Sequence, residues 1–447
     1  MRPLRTILVW TVALAAAGGW WSLRGDGGSG PVSGPKAIPL FDGAEAFRAD
    51  DARSVRIERR GGTPITLTKE GNAWVQTAPF RAELDAYSAR QLVGLAQGLA
   101  ALRLAEPTAT GDAAPAATLV IEGASGGADW KRTIEFLHRG VAGRAWIRVQ
   151  GRIAVTDASL YERAVEMDPK EWRSRALFPE SLGRIERIRR VSREGTIELA
   201  RDGERWRMTS PIKTRADRGH VEELVAAIAR ARTDGFLLDT PGDLAPFGLD
   251  KPIRTLAVDY VGDAGPVTRS LLIGAPLGVG SDDSYAMIEG VPSVLRLSGA
   301  TRDLLLPSDA LLVDPTATGA KAADVKRLEI RSKDASFELV RSLDQWTAAP
   351  IDGGTAGTAV AANPGAVQAL LDTLCTTRAP EMSFSGFPSE LAVGTILLFG
   401  FDGAPLDIVR VARDPKTSRW GFDNGDGALR VHPAATPVPL EIGAFTH

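Results

Sequence analysis

The chain has 447 residues, more than one hydrophobic core usually serves, so two or three domains are expected. Its 53 Lys and Arg against 55 Asp and Glu leave a formal net charge of -2, which excludes a generally basic, nucleic-acid-binding surface. The single cysteine, Cys375, excludes an intramolecular disulfide, a CxxC redox pair and a Cys/His zinc cluster.

At the start of the chain, Arg2 and Arg5 precede an apolar run from Ile7 to Trp21, followed by Ser22, Leu23 and Arg24. The run lies between a signal-peptide core and a full spanning helix in length. Two readings stand. Ala15-Ala16-Ala17-Gly18 offers a signal-peptidase site, whereas Trp20 and Trp21 sit where an interfacial aromatic anchor belongs, and no lipobox cysteine is present. The tryptophans favour retention, so residues 1–24 are expected to form a single-pass anchor with everything after Arg24 outside the cytoplasm. Residues 25–50 begin with a Gly-, Ser- and Pro-rich stretch and are expected to be a flexible linker.

The tryptophans then reveal a long period. Trp74, Trp206 and Trp346 share one context. Val55-Arg56-Ile57-Glu58, a turn at Gly61-Gly62, Ile65-Thr66-Leu67, Trp74, Pro79 and Asp85 recur as Ile185-Glu186-Arg187-Ile188, Ile197-Glu198-Leu199, Trp206, Pro211 and Asp217. They recur again as Leu328-Glu329-Ile330, Phe337-Glu338-Leu339, Trp346, Pro350 and Asn363. The alternation before each tryptophan predicts a β-hairpin with one buried face, continued by the tryptophan strand and ended by the proline. Asp85, Asp217 and Asn363 are expected helix caps, and the apolar spacing after them predicts one amphipathic helix per copy.

A second half also recurs. Thr118-Leu119-Val120-Ile121, Leu256-Ala257-Val258-Asp259-Tyr260 and Thr395-Ile396-Leu397-Leu398-Phe399 each lead to another apolar strand, then to an aromatic strand opening at Trp146, Tyr285 or Trp420, then to a closing strand. The expected fold class is α+β: three tandem repeats, each a mainly antiparallel sheet with one packed helix, after the N-terminal membrane segment. The expected boundaries are 51–176, 177–316 and 317–447, with a unit of the form ββ(β)αββββ.

The middle copy resembles the bacterial domain-of-unknown-function family 4340. Arg187-Ile188, Leu199, Trp206, Pro211, Ala216-Asp217, Val221, Leu224, Phe247-Gly248-Leu249-Asp250-Lys251-Pro252 and Leu272-Ile273-Gly274 stand in that family's order. The first copy lacks a clear Phe-Gly-Leu-Asp-x-Pro counterpart, and the third has only Phe384-Ser385-Gly386-Phe387-Pro388. The resemblance implies an anchored, exported protein, in some members alongside ABC-type transport or gliding-motility machinery. It carries no catalytic residues.

Motifs that suggest chemistry have structural readings. Gly123-Ala124-Ser125-Gly126-Gly127 fits the G-x-S-x-G elbow, but the next segment reads as a strand, so a hairpin turn is expected. His138, His220, His432 and His447 form no HxxxH or HxH pair, and His220 falls in the first turn of a helix. Asp423-Asn424-Gly425-Asp426-Gly427 is oxygen-rich but lacks the EF-hand order, so a hairpin loop is expected rather than a calcium site. Gly274 to Gly280 lacks the Lys-Ser or Lys-Thr of a phosphate loop.

The sequence therefore predicts no enzyme, no catalytic residue, no metal and no cofactor. The leading expectation is an extracytoplasmic scaffold or accessory subunit, held by one pass in the bacterial inner membrane with its bulk periplasmic. It would dock protein partners of the envelope, in an ABC-type transport or other envelope complex, and no nucleic acid. The alternative is an envelope binding module for glycan, peptide or lipid, with Trp146, Tyr285 and Trp420 as candidate binding residues.

Overall fold

The computed structural model describes residues 37–106, 114–179, 183–262, 265–343, 345–352 and 355–446. The expected anchor, residues 1–24, and the first part of the expected linker lie outside the described residues. No helix among the described residues is long and apolar enough to cross a membrane. The chain forms two compact units that meet in sequence between Ser174 and Arg175.

The first unit opens with β1 (Ile38–Pro39), followed by β2 (Ala52–Arg59), β3 (Ile65–Glu70), β4 (Ala73–Ala78), β5 (Ala82–Glu83) and helix α1 (Ser88–Gln97). Then come β6 (Ala100–Ala101), which pairs with β1, β7 (Arg103–Ala105), β8 (Ala117–Ser125), β9 (Ala128–Arg139), β10 (Arg144–Val149), β11 (Arg152–Asp157) and the one-turn helix α2 (Ser159–Tyr161). The main sheet has nine antiparallel strands in the order β5-β4-β3-β2-β8-β9-β10-β11-β7. Leu40, Phe41 and Phe47 are buried in this core, so the second half of the expected linker is packed chain. Its apolar side chains gain more by burial than a tether retains in entropy.

The second unit holds the other two sheets. The second copy comprises β12 (Arg184–Ser192), β13 (Gly195–Asp202), β14 (Arg205–Ser210), β15 (Thr214–Arg215), α3 (Arg218–Arg230), β16 (Gly235–Asp239), β17 (Arg254–Gly262), β18 (Gly265–Pro276), β19 (Ser284–Ile288), β20 (Ser293–Leu297) and α4 (Gly299–Leu305). Its order is β15-β14-β13-β12-β17-β18-β19-β20-β16, the order of the first sheet element for element.

The third copy comprises β21 (Arg327–Ser332), β22 (Ser336–Ser342), β23 (Gln345–Asp352), β24 (Thr355–Ala356), β25 (Val360–Ala361), α5 (Pro364–Cys375), β26 (Glu381–Ser383), β27 (Ala392–Phe399), β28 (Pro405–Arg413), β29 (Trp420–Asp423) and β30 (Leu429–His432). The order β24-β23-β22-β21-β27-β28-β29-β30-β26 repeats the plan, with β25 added beside β23.

In each copy the helix carries the chain from one edge of the sheet to the other, where a short strand closes it. Those strands, β7, β16 and β26, are absent from the unit read in the sequence. β7 and β26 span three residues each, too short to show a period of two, and the five residues of β16 place Phe236, Leu237 and Leu238 side by side without alternation. The helix buries one stripe: Leu92, Val93 and Ala96 in α1, Val221, Leu224 and Ile228 in α3, Val367, Leu370, Leu371 and Leu374 in α5.

Two of the three caps form as the sequence suggests. Asp217 Oδ1 accepts from the His220 amide at 2.9 Å, and Asn363 Oδ1 from the Gly365 and Ala366 amides at 2.9 and 3.2 Å. Asp85 instead turns the chain before α1: its Oδ1 accepts from the Tyr87 amide at 3.0 Å, and the helix begins at Ser88. Pro79 and Pro211 follow the ends of β4 and β14, but Pro350 lies within β23, opposite Phe337. There the strand continues past the proline toward β24, because only the proline's own missing N–H is lost from the ladder.

Candidate functional site

The repeated tryptophans occupy one structural position. Each pairs across its hairpin with a cationic residue, Lys69 with Trp74, Arg201 with Trp206 and Arg341 with Trp346. The three are 6, 7 and 8% exposed and belong to the three separate cores. The Arg201 guanidinium lies 4.9 Å from the Trp206 ring centroid, a half-buried lid on a buried ring.

The three candidate binding aromatics do not share a position. Trp146 on β10 and Tyr285 on β19 alternate with the core residues Ala145, Ile147, Ala286 and Ile288, so both face away from the core and are half-buried. Trp420 on β29 falls on the opposite parity, packs in the third core with Phe422 and is 7% exposed. A one-residue offset in a strand moves a side chain to the other face, and spacing in sequence does not reveal it. Trp420 is therefore removed from the candidate set.

On the outer faces, Trp146 stacks on His138 at 5.4 Å and carries Arg103 at 5.8 Å. Tyr285 meets Phe247 edge-on at 5.1 Å. Phe247 opens the Phe-Gly-Leu-Asp-x-Pro segment, whose turn ends at Gly248 with φ +65. This loop lies against β18 so closely that a Cβ on Gly274 would stand 2.2 Å from the Phe247 carbonyl oxygen, and one on Gly248 would stand 2.9 Å from the Ala275 nitrogen. The motif is a loop-to-strand clasp with a glycine on each side. Gly274→Ala is expected to destabilise the second unit by about 2–3 kcal/mol, as overpacking against fixed backbone does, and urea denaturation of the variant measures it.

A charged cleft of about 590 Å3 lies in the second unit beside the start of α3. Arg205, Trp206 and Arg207 from the second copy and Arg378 from the third line it around Asp217 and His220. Asp217 is buried. Its Oδ1 also meets His220 Nδ1 at 3.0 Å, and its Oδ2 accepts from Arg378 at 2.6 Å. Burial opposes ionisation of Asp217, but the His220 amide and the Arg378 guanidinium outweigh it and hold the carboxyl below the usual range. The contact favours the imidazole tautomer that donates from Nδ1 to Asp217 and leaves Nε2 as an acceptor. The same contacts are those of a helix cap braced by a neighbouring copy. No Ser, Thr, Cys or Tyr lines the cleft among the described residues.

Beyond the cleft, the polar groups lock the second copy to the third. Arg430 of β30 is wholly buried and grips Asp426 with both arms, at 2.7 and 3.1 Å. It also donates to the carbonyls of Asp314 at 3.1 Å and Ala428 at 2.8 Å. Thr214 of β15 donates to Asp426 from the other copy. Arg215 donates to Asp314 at 3.0 Å and to the Thr316 carbonyl at 2.9 Å, and it lies 3.8 Å from Asp407. Burial opposes ionisation of Asp426 as well, and Arg430 and Thr214 hold it below the carboxylate range. Apolar contacts follow the same seam: Ala428 is buried in the second core, and Met382 and Phe384 pack against it.

This seam absorbs the oxygen-rich loop Asp423–Gly427. Asp426 serves Arg430, and Asp423 accepts from Arg410 and from the Gly425 amide at 2.8 Å. No group of three or more His, Cys, Asp or Glu able to hold a metal is found among the described residues. The Gly123–Gly127 motif is the end of β8 and its turn into β9, with Gly126 and Gly127 at φ +59 and +85. Burial, helped by Asp372 and Asp407, pushes the Cys375 thiol up to about 11, which keeps it from acting as a thiolate.

The sequence reading missed a difference between the outer faces. Opposite Ser54 the first sheet places Glu122, and opposite Arg187 the second places Asp259. At the equivalent point opposite Arg327 the third places Phe399, with Arg327 3.9 Å from its ring centroid. Leu397 and Ile408 pair beside it. Phe401 on the following turn is 63% exposed, and Ile408 and Leu406 on β28 are 47 and 41% exposed. The signal lay in the run Ile396 to Phe399, apolar on both parities where an open sheet face needs only one.

The model of the family described as a domain of unknown function, DUF4340, matches residues 206–390. No curated protein matches the chain. Among solved structures, the DNA polymerase III beta chain from Streptococcus pneumoniae TIGR4 aligns at 9% identity over 91% of this chain and 95% of that one, with a TM-score of 0.14. A likeness of that size carries no argument.

Proposed function

We propose that this chain, whose residues 206–390 match the DUF4340 model, is a non-enzymatic scaffold or accessory subunit that docks a protein partner on the outer face of its third sheet. The exposed apolar set of Phe401, Leu406 and Ile408 around Phe399 carries the reading. Contiguous apolar surface rimmed by charge is what protein-binding faces present, and isolated exposed residues do not. The paired charges of the second sheet, where Arg189 lies 3.4 Å from Glu198 and 3.5 Å from Asp259, make the contrast. An N-terminal anchor in residues 1–24 would keep the chain at a bacterial inner membrane, where an ABC-type transport or other envelope complex supplies partners.

A photo-crosslinking residue at Ile408 is expected to capture a discrete protein in native membranes, and the same residue at Arg189 to capture none. Equal capture at both positions, or no protein at either, contradicts the proposal. One observation favours an envelope-ligand module instead: the half-exposed Trp146 framed by His138 and Arg103. Quenching of tryptophan fluorescence by one member of a panel of envelope glycans and lipids, lost in Trp146→Phe, would support that reading.

A further inference from the structure

His432 is the last residue of β30 and is wholly buried, yet no protein group hydrogen-bonds to either ring nitrogen. Across the ladder it pairs with Trp420, whose indole nitrogen is likewise without a protein partner, and its ring meets Phe422 edge-on at 5.0 Å. A neutral imidazole is tolerated in such a place, whereas an imidazolium needs a counter-charge or water.

The charged groups around it offer neither. On its own strand the nearest is Arg430, on the same face two residues away and itself cationic. On β29 the carboxylate of Asp423 is taken by Arg410, and on β26 Glu381 pairs with Arg419 on the exposed side. A proton at His432 would thus sit in an apolar core beside a second buried cation, the one that bolts the third copy to the second.

We propose that the β29–β30 hairpin is an acid-operated latch: protonation of His432 expels its ring from the third core, and the strand movement withdraws Arg430 from its seat against Asp426, Thr214 and the Asp314 carbonyl. The seam between the second and third copies then loosens, while each sheet keeps the central ladders that His432 does not touch.

Burial, reinforced by Arg430, depresses the imidazole from its ordinary 6.5 to about 4. Because the folded value is the lower one, the stabilisation is present above the unfolded pKa and is lost as pH falls from 6.5 toward 4. Between pH 7 and pH 4.5 the equilibrium for closing the hairpin should fall on the order of 50-fold from this group alone.

The test is hydrogen exchange of the full chain at the two pH values, corrected for intrinsic exchange, in wild type and in His432→Phe. Wild type is expected to lose protection selectively in β29 and β30, and the variant to lose less than about a tenth as much. Equal losses in both proteins overturn the latch. Should the phenylalanine variant fail to fold, imidazole NMR of wild type decides: a His432 resonance that titrates near 6.5 in the intact fold contradicts the proposal, and one that stays neutral until the hairpin opens supports it.

Discussion

Arg430→Met will lower the stability of the second unit by about 3–5 kcal/mol, the cost of leaving a buried charge without its partner. The loss comes mainly from what remains. Asp426 keeps Thr214 and the Ala428 amide, at 3.1 Å, but loses a bidentate cation inside a seam that water does not reach freely. The double variant Asp426→Leu with Arg430→Met should recover most of the loss, because a matched apolar pair removes both the desolvation cost and the orphaned charge. Denaturant unfolding of the wild type, the single variant and the double variant separates the two effects. A single variant within about 1 kcal/mol of wild type would mean that the seam is hydrated and worth no more than a surface pair.

The second large effect concerns the repeated tryptophans. Trp206→Ala and Trp346→Ala should each cost about 3–5 kcal/mol, the range for emptying an indole from a core. Tyr285→Ala should cost about 1–2 kcal/mol, since it removes a half-buried ring and one aromatic contact. Thermal unfolding of the three variants checks the order. The reverse ranking would make Tyr285 the structural residue and the repeated tryptophans the better binding candidates.

These contrasts show what could be read from the sequence. The three copies were legible because Leu67 to Trp74, Leu199 to Trp206 and Leu339 to Trp346 keep one hairpin register, and register is fixed wherever a sheet has a buried face. The helices were legible from apolar spacing and from Asp217 and Asn363. Asp85 misled by one turn, since an aspartate that closes an Asx turn and one that caps a helix look alike in a sequence.

The junction was not legible. Asp426 and Arg430 read as a hairpin loop and its strand, and nothing in their spacing announces Thr214 more than two hundred residues earlier. Trp420 misled for a different reason: the third copy carries its aromatic on the core parity, where the first and second carry theirs on the outer parity. The exchange of Asp259 for Phe399 was visible as letters, but it acquired meaning only once Arg187 and Arg327 were seen to occupy the same place opposite them.

The seam at Arg430 and Asp426 makes one body of the second and third copies, with the apolar face of the third held in a fixed relation to the second. Native-state hydrogen exchange of the full chain tests that most directly. Amides in the central strands β12 and β17 of the second copy and β21 and β27 of the third should report one common opening free energy, and Arg430→Met should lower it in both copies together. Separate opening energies, with the substitution felt only in the third copy, would contradict it.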